Sequence, residues 1–141
     1  MYALYYLGPP LEEYLGRWRY GLLYLMAALG GAVASYYFSP DNVLSVGASG
    51  AIFGLMTSML VLGRQIGVDT NQVAVLLVIN ILIGFSVPAI DWRAHFGGAV
   101  IGGAVAWAVG RRSPQWLVVG GIVVGLVAAV VMRTGQIMVL A

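Results

Sequence analysis

Five apolar runs follow one another along this chain, and they leave few kinds of fold open to it. They cover Tyr20–Phe38, Val46–Leu62, Val73–Pro88, Ala94–Val109 and Trp116–Met132. The links between and before them are short and polar: Gly8–Arg19, Ser39–Ser45, Gly63–Gln72, Ile90–Arg93 and Gly110–Gln115. A helix needs about 20 mainly apolar residues to cross a hydrocarbon core, so these runs sit at the short end of the spanning range. Charged residues make up only 9% of the chain and mean hydropathy is +0.93. A soluble domain carries about 25% charged residues, and with so few a water-facing surface cannot be covered. Glycine, at 20 residues, suits close helix packing in lipid. The fold class read from this is an all-α polytopic membrane protein: one domain over residues 1–141, with about five full transmembrane helices and a partial one at its N-terminal end.

The partial helix is Met1–Leu7, which Gly8-Pro9-Pro10 is expected to end after two turns. It has no basic n-region and is too short to span, so it reads as the tail of a helix rather than as a signal peptide. The net charge of +2 comes from arginines scattered at the ends of apolar runs. That is topology marking rather than a phosphate-binding face, so nucleic acid is not expected as a partner. The absence of cysteine excludes disulfides, thiolate metal sites and a cysteine nucleophile. Alternation of five spans puts Arg17, Arg19, Arg64, Arg111 and Arg112 on one side, Arg93 and Arg133 on the other. The positive-inside rule makes the first side cytoplasmic.

The same alternation brings two short stretches to the outer side. Gly47-Ala48-Ser49-Gly50-Ala51-Ile52-Phe53-Gly54 opens the second span, and Arg93-Ala94-His95-Phe96-Gly97-Gly98-Ala99-Val100-Ile101-Gly102 opens the fourth. Ser49 and His95 are thereby expected at similar depth. A nucleophile and its base must come within about 2.6–3.2 Å, and short side chains meet across two helices only if the backbones approach closely. Gly50 and Gly54 on one helix, with Gly98 and Gly102 on the other, supply the small-xxx-small spacing that allows this. Considered singly, a serine in a membrane helix is more often a packing residue, and a histidine near an interface can simply cap a helix or hold water. The pairing is what gives either one weight, because His95 is the chain's sole histidine and an ionisable group in a span is a functional candidate by default.

Gly-x-Ser-Gly-x-x-x-Gly from Gly47 to Gly54 resembles the nucleophile motif of the rhomboid proteases, and Ala-His-x-x-Gly-x-x-x-Gly from Ala94 to Gly102 is similar to their base motif. Gly8, Glu12 and Gly16 resemble the Gly-x-x-x-Glu-x-x-x-Gly pattern that follows the second rhomboid helix. The resemblance runs from Met1 to about Gly110, with Trp116–Met132 as an appended helix of the kind some rhomboids carry. It implies a rhomboid-like helical bundle and an intramembrane serine endopeptidase that works by a Ser–His dyad. Ser49 would attack the scissile carbonyl, and His95 would take its proton and return it to the leaving amine. Phe53, one turn along from Ser49, matches the aromatic position that packs on the base, although a phenylalanine there equally suits ordinary packing. The Ser49 peptide N–H, in a first turn where backbone donors are unpaired, is an oxyanion donor, and Gly47 belongs to the same segment. Asp91 stands before the helix start and receives no role.

The family also carries a His-x-x-x-Asn motif, a first span and a large loop ahead of the segment matched by Met1–Leu7. The resemblance therefore implies an N-terminally truncated sequence, either a truncated product or, as the intact motifs favour, a gene start placed at an internal methionine. The partners implied are transmembrane protein substrates and the lipid bilayer, with the active site toward the outer side of the cell membrane. No metal and no cofactor is expected, since one histidine and scattered carboxylates make no coordination set. Two other classes stay open. A truncated or non-catalytic relative would bind membrane helices without cutting them. A small transporter or channel subunit would need buried charge or an inverted repeat, and neither is visible. Among the remaining residues, Asn80 is expected to bond between helices, Thr57 and Ser58 to carbonyls one turn back, and Glu12 to Arg17; Pro88 is expected to end the third span.

Overall fold

The computed structural model describes residues 2–39, 48–110 and 115–140. Among these it is all helical: α1 (Tyr2–Leu15), α2 (Arg17–Phe38), α3 (Ser49–Ile66), α4 (Asn71–Ser86), α5 (Trp92–Gly110) and α6 (Gln115–Leu140). Gly47, the expected Val46 start of the second span, and Arg111 and Arg112 lie outside the described residues. Arg17–Phe38 and Gln115–Val139 are each long and apolar enough to cross a membrane, while Asn71–Ser86 is a shorter apolar helix. α3 and α5 fall short of that measure because glycines, hydroxyls and the terminal Arg64 and Arg93 dilute their hydropathy. Those same small residues are what the packing of these two helices requires.

α1 departs from the sequence expectation. It runs unbroken through Pro9 and Pro10 to Leu15, although proline in a helix interior forfeits a backbone bond at a cost of about 3 kcal/mol. The compensation lies on its other face, where Leu7, Leu11 and Leu15 recur every fourth residue and are buried in the main core. Packing of this stripe against the neighbouring helices holds the helix past the break, as neighbouring helices allow proline within helices of membrane bundles. The chain turns instead at Gly16, whose φ of 78° is open to glycine and strained for other residues. Arg17 Nε lies 3.7 Å from Glu12 Oε1 across this corner, a solvent-exposed pair that adds little stability. Gly8 faces Tyr20, so that a Cβ there would come within 3.1 Å of the tyrosine hydroxyl.

The centre of the molecule is a three-helix contact among α2, α3 and α5 made almost backbone to backbone. Gly50 packs beside Ala94 and Gly98, Gly54 beside Gly98 and Gly102, and Leu62 beside Gly110. Both residue numbers rise together along this seam, so α3 and α5 run parallel with their first turns side by side. α2 runs antiparallel to both: Gly31 meets Ala94 and Gly50, and Ala27 meets Gly54. A Cβ on Gly98 or Gly102 would overlap the Gly50 or Gly54 backbone, so at these two positions the side chain must be a hydrogen. Two hydroxyls lock the seam. Thr57 Oγ1 donates to Ala99 O at 2.8 Å, and the fully buried Ser58 donates to Gly102 O at 3.1 Å. Each also lies within bonding distance of a carbonyl one turn back, as expected; the crossing to α5 was not legible beforehand.

The outer helices are held more loosely. α4 buries only Val73 and Gly84 and exposes most of its large apolar side chains. It ends at Ser86, with Val87 extended ahead of Pro88, as a proline two residues on dictates. α3 ends in a left-handed Gly67, with the N–H of Val68 bonded to Gly63 O. α6 packs its Val119 side into the core and reaches Tyr36 through Thr134, at 3.2 Å between hydroxyl oxygens, while most of its remaining surface is open.

Candidate active site

Ser49 is the first residue of α3, and the first backbone bond of that helix runs from Ile52 N–H to Ala48 O at 3.0 Å. Among the described residues, the N–H groups of Ser49, Gly50 and Ala51 precede the first carbonyl that the helix supplies. His95 sits in the first turn of α5, three residues past its start, with its N–H turned to Asp91 O at 3.4 Å. Because the two first turns lie side by side, Ser49 and His95 line one cavity. It has a volume of about 700 Å³ between α1, α3 and α4 and extends past Asn80 to Asp69 and Gln72.

The imidazole is held by shape. The Phe53 ring, itself buried, stacks on it with 4.1 Å between centroids and 11° between planes. The Nδ1 atom points toward α4, where a Cβ on Gly84 would stand 3.5 Å away. Nδ1 is buried without a hydrogen-bond partner among the described residues, so no third side chain orients the ring there. On its far side His95 borders a second, apolar cavity of about 270 Å³, lined by Phe53, Ile81, Phe85, Trp92, Phe96 and Ala99. Phe85 and Trp92 meet at 4.8 Å between ring centroids and close this cavity where α4 reaches α5.

Of the residues singled out from sequence, Ser49, Phe53 and His95 meet around these cavities, and Gly50, Gly54, Gly98 and Gly102 form the seam beneath them. No hydrogen bond joins Ser49 Oγ to the imidazole among the described contacts; a reactive pair would have to close to hydrogen-bond distance, as often happens only when substrate is present. Asn80 differs from expectation. Its amide donates to Leu76 O on its own helix at 2.8 Å, because at this level α4 faces the main cavity rather than another helix.

Sequence reasoning passed over a polar cluster next to the histidine turn. The Asp91 carboxylate accepts from the N–H groups of Arg93 at 3.1 Å and Ala94 at 3.4 Å, capping α5. It also accepts from the Ser35 hydroxyl, and from that of Ser39 at 3.4 Å, both at the end of α2. An aspartate just ahead of an apolar periodic run is a readable helix-start signal. Its serine partners, more than fifty residues away, are not readable from sequence.

Comparison with known proteins gives the chain its relatives. The rhomboid domain family matches residues 1–112. The rhomboid protease GluP of Bacillus subtilis is 38% identical over 116 residues, covering 77% of this chain and 22% of that protein. RHOMBOID-like protein 4 of Arabidopsis thaliana is 37% identical over 111 residues, 72% of this chain and 27% of its own. Rhomboid-type serine protease 2 of Emericella nidulans is 32% identical over 118 residues, 79% of this chain and 23% of its own. The chain thus spans about a quarter of the length of these relatives. No solved structure matches it. With a family match over most of its length and relatives of this similarity, the chain belongs to the rhomboid family.

Proposed function

We propose that this chain is the catalytic core of an intramembrane serine endopeptidase, with Ser49 as nucleophile and His95 as general base. The observation that carries the proposal is the Phe53 ring stacked on His95 at the wall of a cavity that Ser49 also lines. Membership in a family whose relatives include one protein named as a rhomboid protease and one named as a rhomboid-type serine protease supports it. In this reading Ser49 Oγ adds to the scissile carbonyl carbon while its proton passes to the imidazole. The carbonyl oxygen gains the negative charge and is met by the N–H groups at the start of α3, Ser49 first and Gly47 in the segment before it. Collapse of the adduct breaks the C–N bond, and His95 returns the proton to the departing amine. A water molecule, deprotonated by the same imidazole, then hydrolyses the acyl-serine. Glycines 50, 54, 98 and 102 serve by bringing the two backbones close enough for this exchange.

The substrate would be a transmembrane protein admitted from the bilayer. The chain would cross the cell membrane with α2 to α6 as full spans and α1 as a partial one, and its reactive end would face outward. Water reaches the serine through the cavity, whose Ser49, Asn80, Gln72 and Asp69 make it the more polar of the two cavities that border His95. The missing Ser49–His95 bond favours a second reading, a non-catalytic relative that binds membrane helices in the same cavity.

A fluorophosphonate probe applied to membranes holding the folded chain separates the two. Labelling that disappears in both Ser49→Ala and His95→Ala is the expected result. A folded, inserted protein that never labels would leave the helix-binding reading in its place.

A further inference from the structure

A histidine base must be held in one orientation, and a hydrogen bond to its second nitrogen is the common means. Here Nδ1 has no such partner among the described residues. Stacking on Phe53 fixes the plane of the ring but leaves its height along the α5 axis to the backbone that carries it. That backbone begins at Asp91. One oxygen of its carboxylate takes the Arg93 and Ala94 N–H groups and the Ser39 hydroxyl, and the other takes the Ser35 hydroxyl. The carbonyl of Asp91 receives the N–H of His95 itself. Ala94, whose N–H the carboxylate holds, has its own carbonyl against Gly31 of α2 and Gly50 of α3. A shift of the first α5 turn would therefore move the imidazole relative to both Ser49 and Phe53.

We infer that Asp91, clamped by Ser35 and Ser39 of α2, is a positioning residue that sets the height and orientation of His95. This rests on the proposed peptidase reading only for its consequence, since the geometric claim concerns the ring alone. The serines matter because they convert an ordinary helix cap into a tie between two helices. A capping aspartate bonded only to its own turn would travel with α5, whereas one bonded to α2 cannot.

His95 is the chain's sole histidine, so histidine-selective isotope labelling of the full chain gives one set of imidazole signals. Phe53 stacked at 4.1 Å shields the ring protons, and their chemical shifts report whether the stack persists. The variants are Asp91→Ala, Asp91→Asn and the double change Ser35→Ala with Ser39→Ala. Asparagine caps helices about as well as aspartate; its Oδ1 can accept the Arg93, Ala94 and Ser39 bonds, while its Nδ2 would donate to the Ser35 hydroxyl and keep that tie with the direction reversed. The expected result is a downfield move of the ring signals in Asp91→Ala and in the double serine variant, with Asp91→Asn close to the parent. Fluorophosphonate labelling of Ser49 should fall in the same order, by about tenfold to a hundredfold for Asp91→Ala, as misplacement of a reacting group costs. If Asp91→Ala does not fold, the double serine variant decides alone. Imidazole signals unmoved in a folded clamp variant would overturn the inference, whatever the labelling does. Signals that move in a protein whose parent never labels would uphold the clamp and remove the peptidase reading.

Discussion

Phe53 is the residue on which the geometry around His95 turns. Nothing in its spacing separated a base-stacking aromatic from an ordinary packing one; only the parallel seam brings it under the imidazole. Phe53→Ala should lower Ser49 labelling sharply, and it should also cost about 3–5 kcal/mol of stability through the cavity it leaves. Thermal denaturation in detergent therefore has to accompany the activity measurement. Phe53→Tyr preserves the ring, and its labelling should stay within about threefold of the parent if stacking is what matters, a difference under 1 kcal/mol. Gly84 gives a second residue-level expectation. An added methyl would sit in ordinary contact with His95 Nδ1, Trp92 and Ile90, so Gly84→Ala should be tolerated. Gly84→Leu should displace the imidazole and suppress labelling, which a dose series with the probe would show.

At the scale of elements, the α3–α5 seam and the surface of α6 use the same residue type to opposite ends. Gly98→Ala and Gly102→Ala drive a methyl into the facing backbone, and should cost about 1–3 kcal/mol or separate the helices. Gly120→Ala and Gly121→Ala meet nothing within 4 Å and should keep or slightly raise the melting temperature, since alanine is the better helix former. Comparing these four variants in one detergent checks whether glycine is needed for close approach or merely present. Ser58→Ala is a milder probe of the same seam. It removes the hydroxyl shared between Gly54 O and Gly102 O, and membrane interhelical bonds average about 0.6 kcal/mol. α1 shows the reverse balance, in which a strong local breaker yields to a buried leucine stripe.

Taken whole, the molecule is a tight three-helix centre with α4 and α6 applied to its flanks. α6 is tied to the rest by Val119, by apolar contact with α2 and by the Tyr36–Thr134 pair. Among the described residues, neither cavity bordering His95 has an α6 residue in its lining. Removing residues 115–141 should accordingly leave Ser49 labelling in place while lowering thermal stability. Loss of labelling in a shortened protein that still folds would mean that α6 holds α2, and through it the α5 start, in place.

Hydrophobic runs and two glycine-spaced motifs determined a good deal before the fold was known: an all-helical chain, the order of its helices, and the placing of Ser49 and His95 near neighbouring helix starts. These are local or periodic properties, and the chain carries them wherever it folds. Tertiary structure alone decided the rest. It carried α1 through Pro9 and Pro10, because burial of leucines on a neighbouring helix is invisible to local propensity. It turned the Asn80 amide back on its own helix, because at that level α4 borders a cavity rather than another helix. It joined Ser35 and Ser39 to Asp91, because hydrogen bonds between distant segments depend on which helix faces are brought together, and that choice belongs to the packed bundle as a whole.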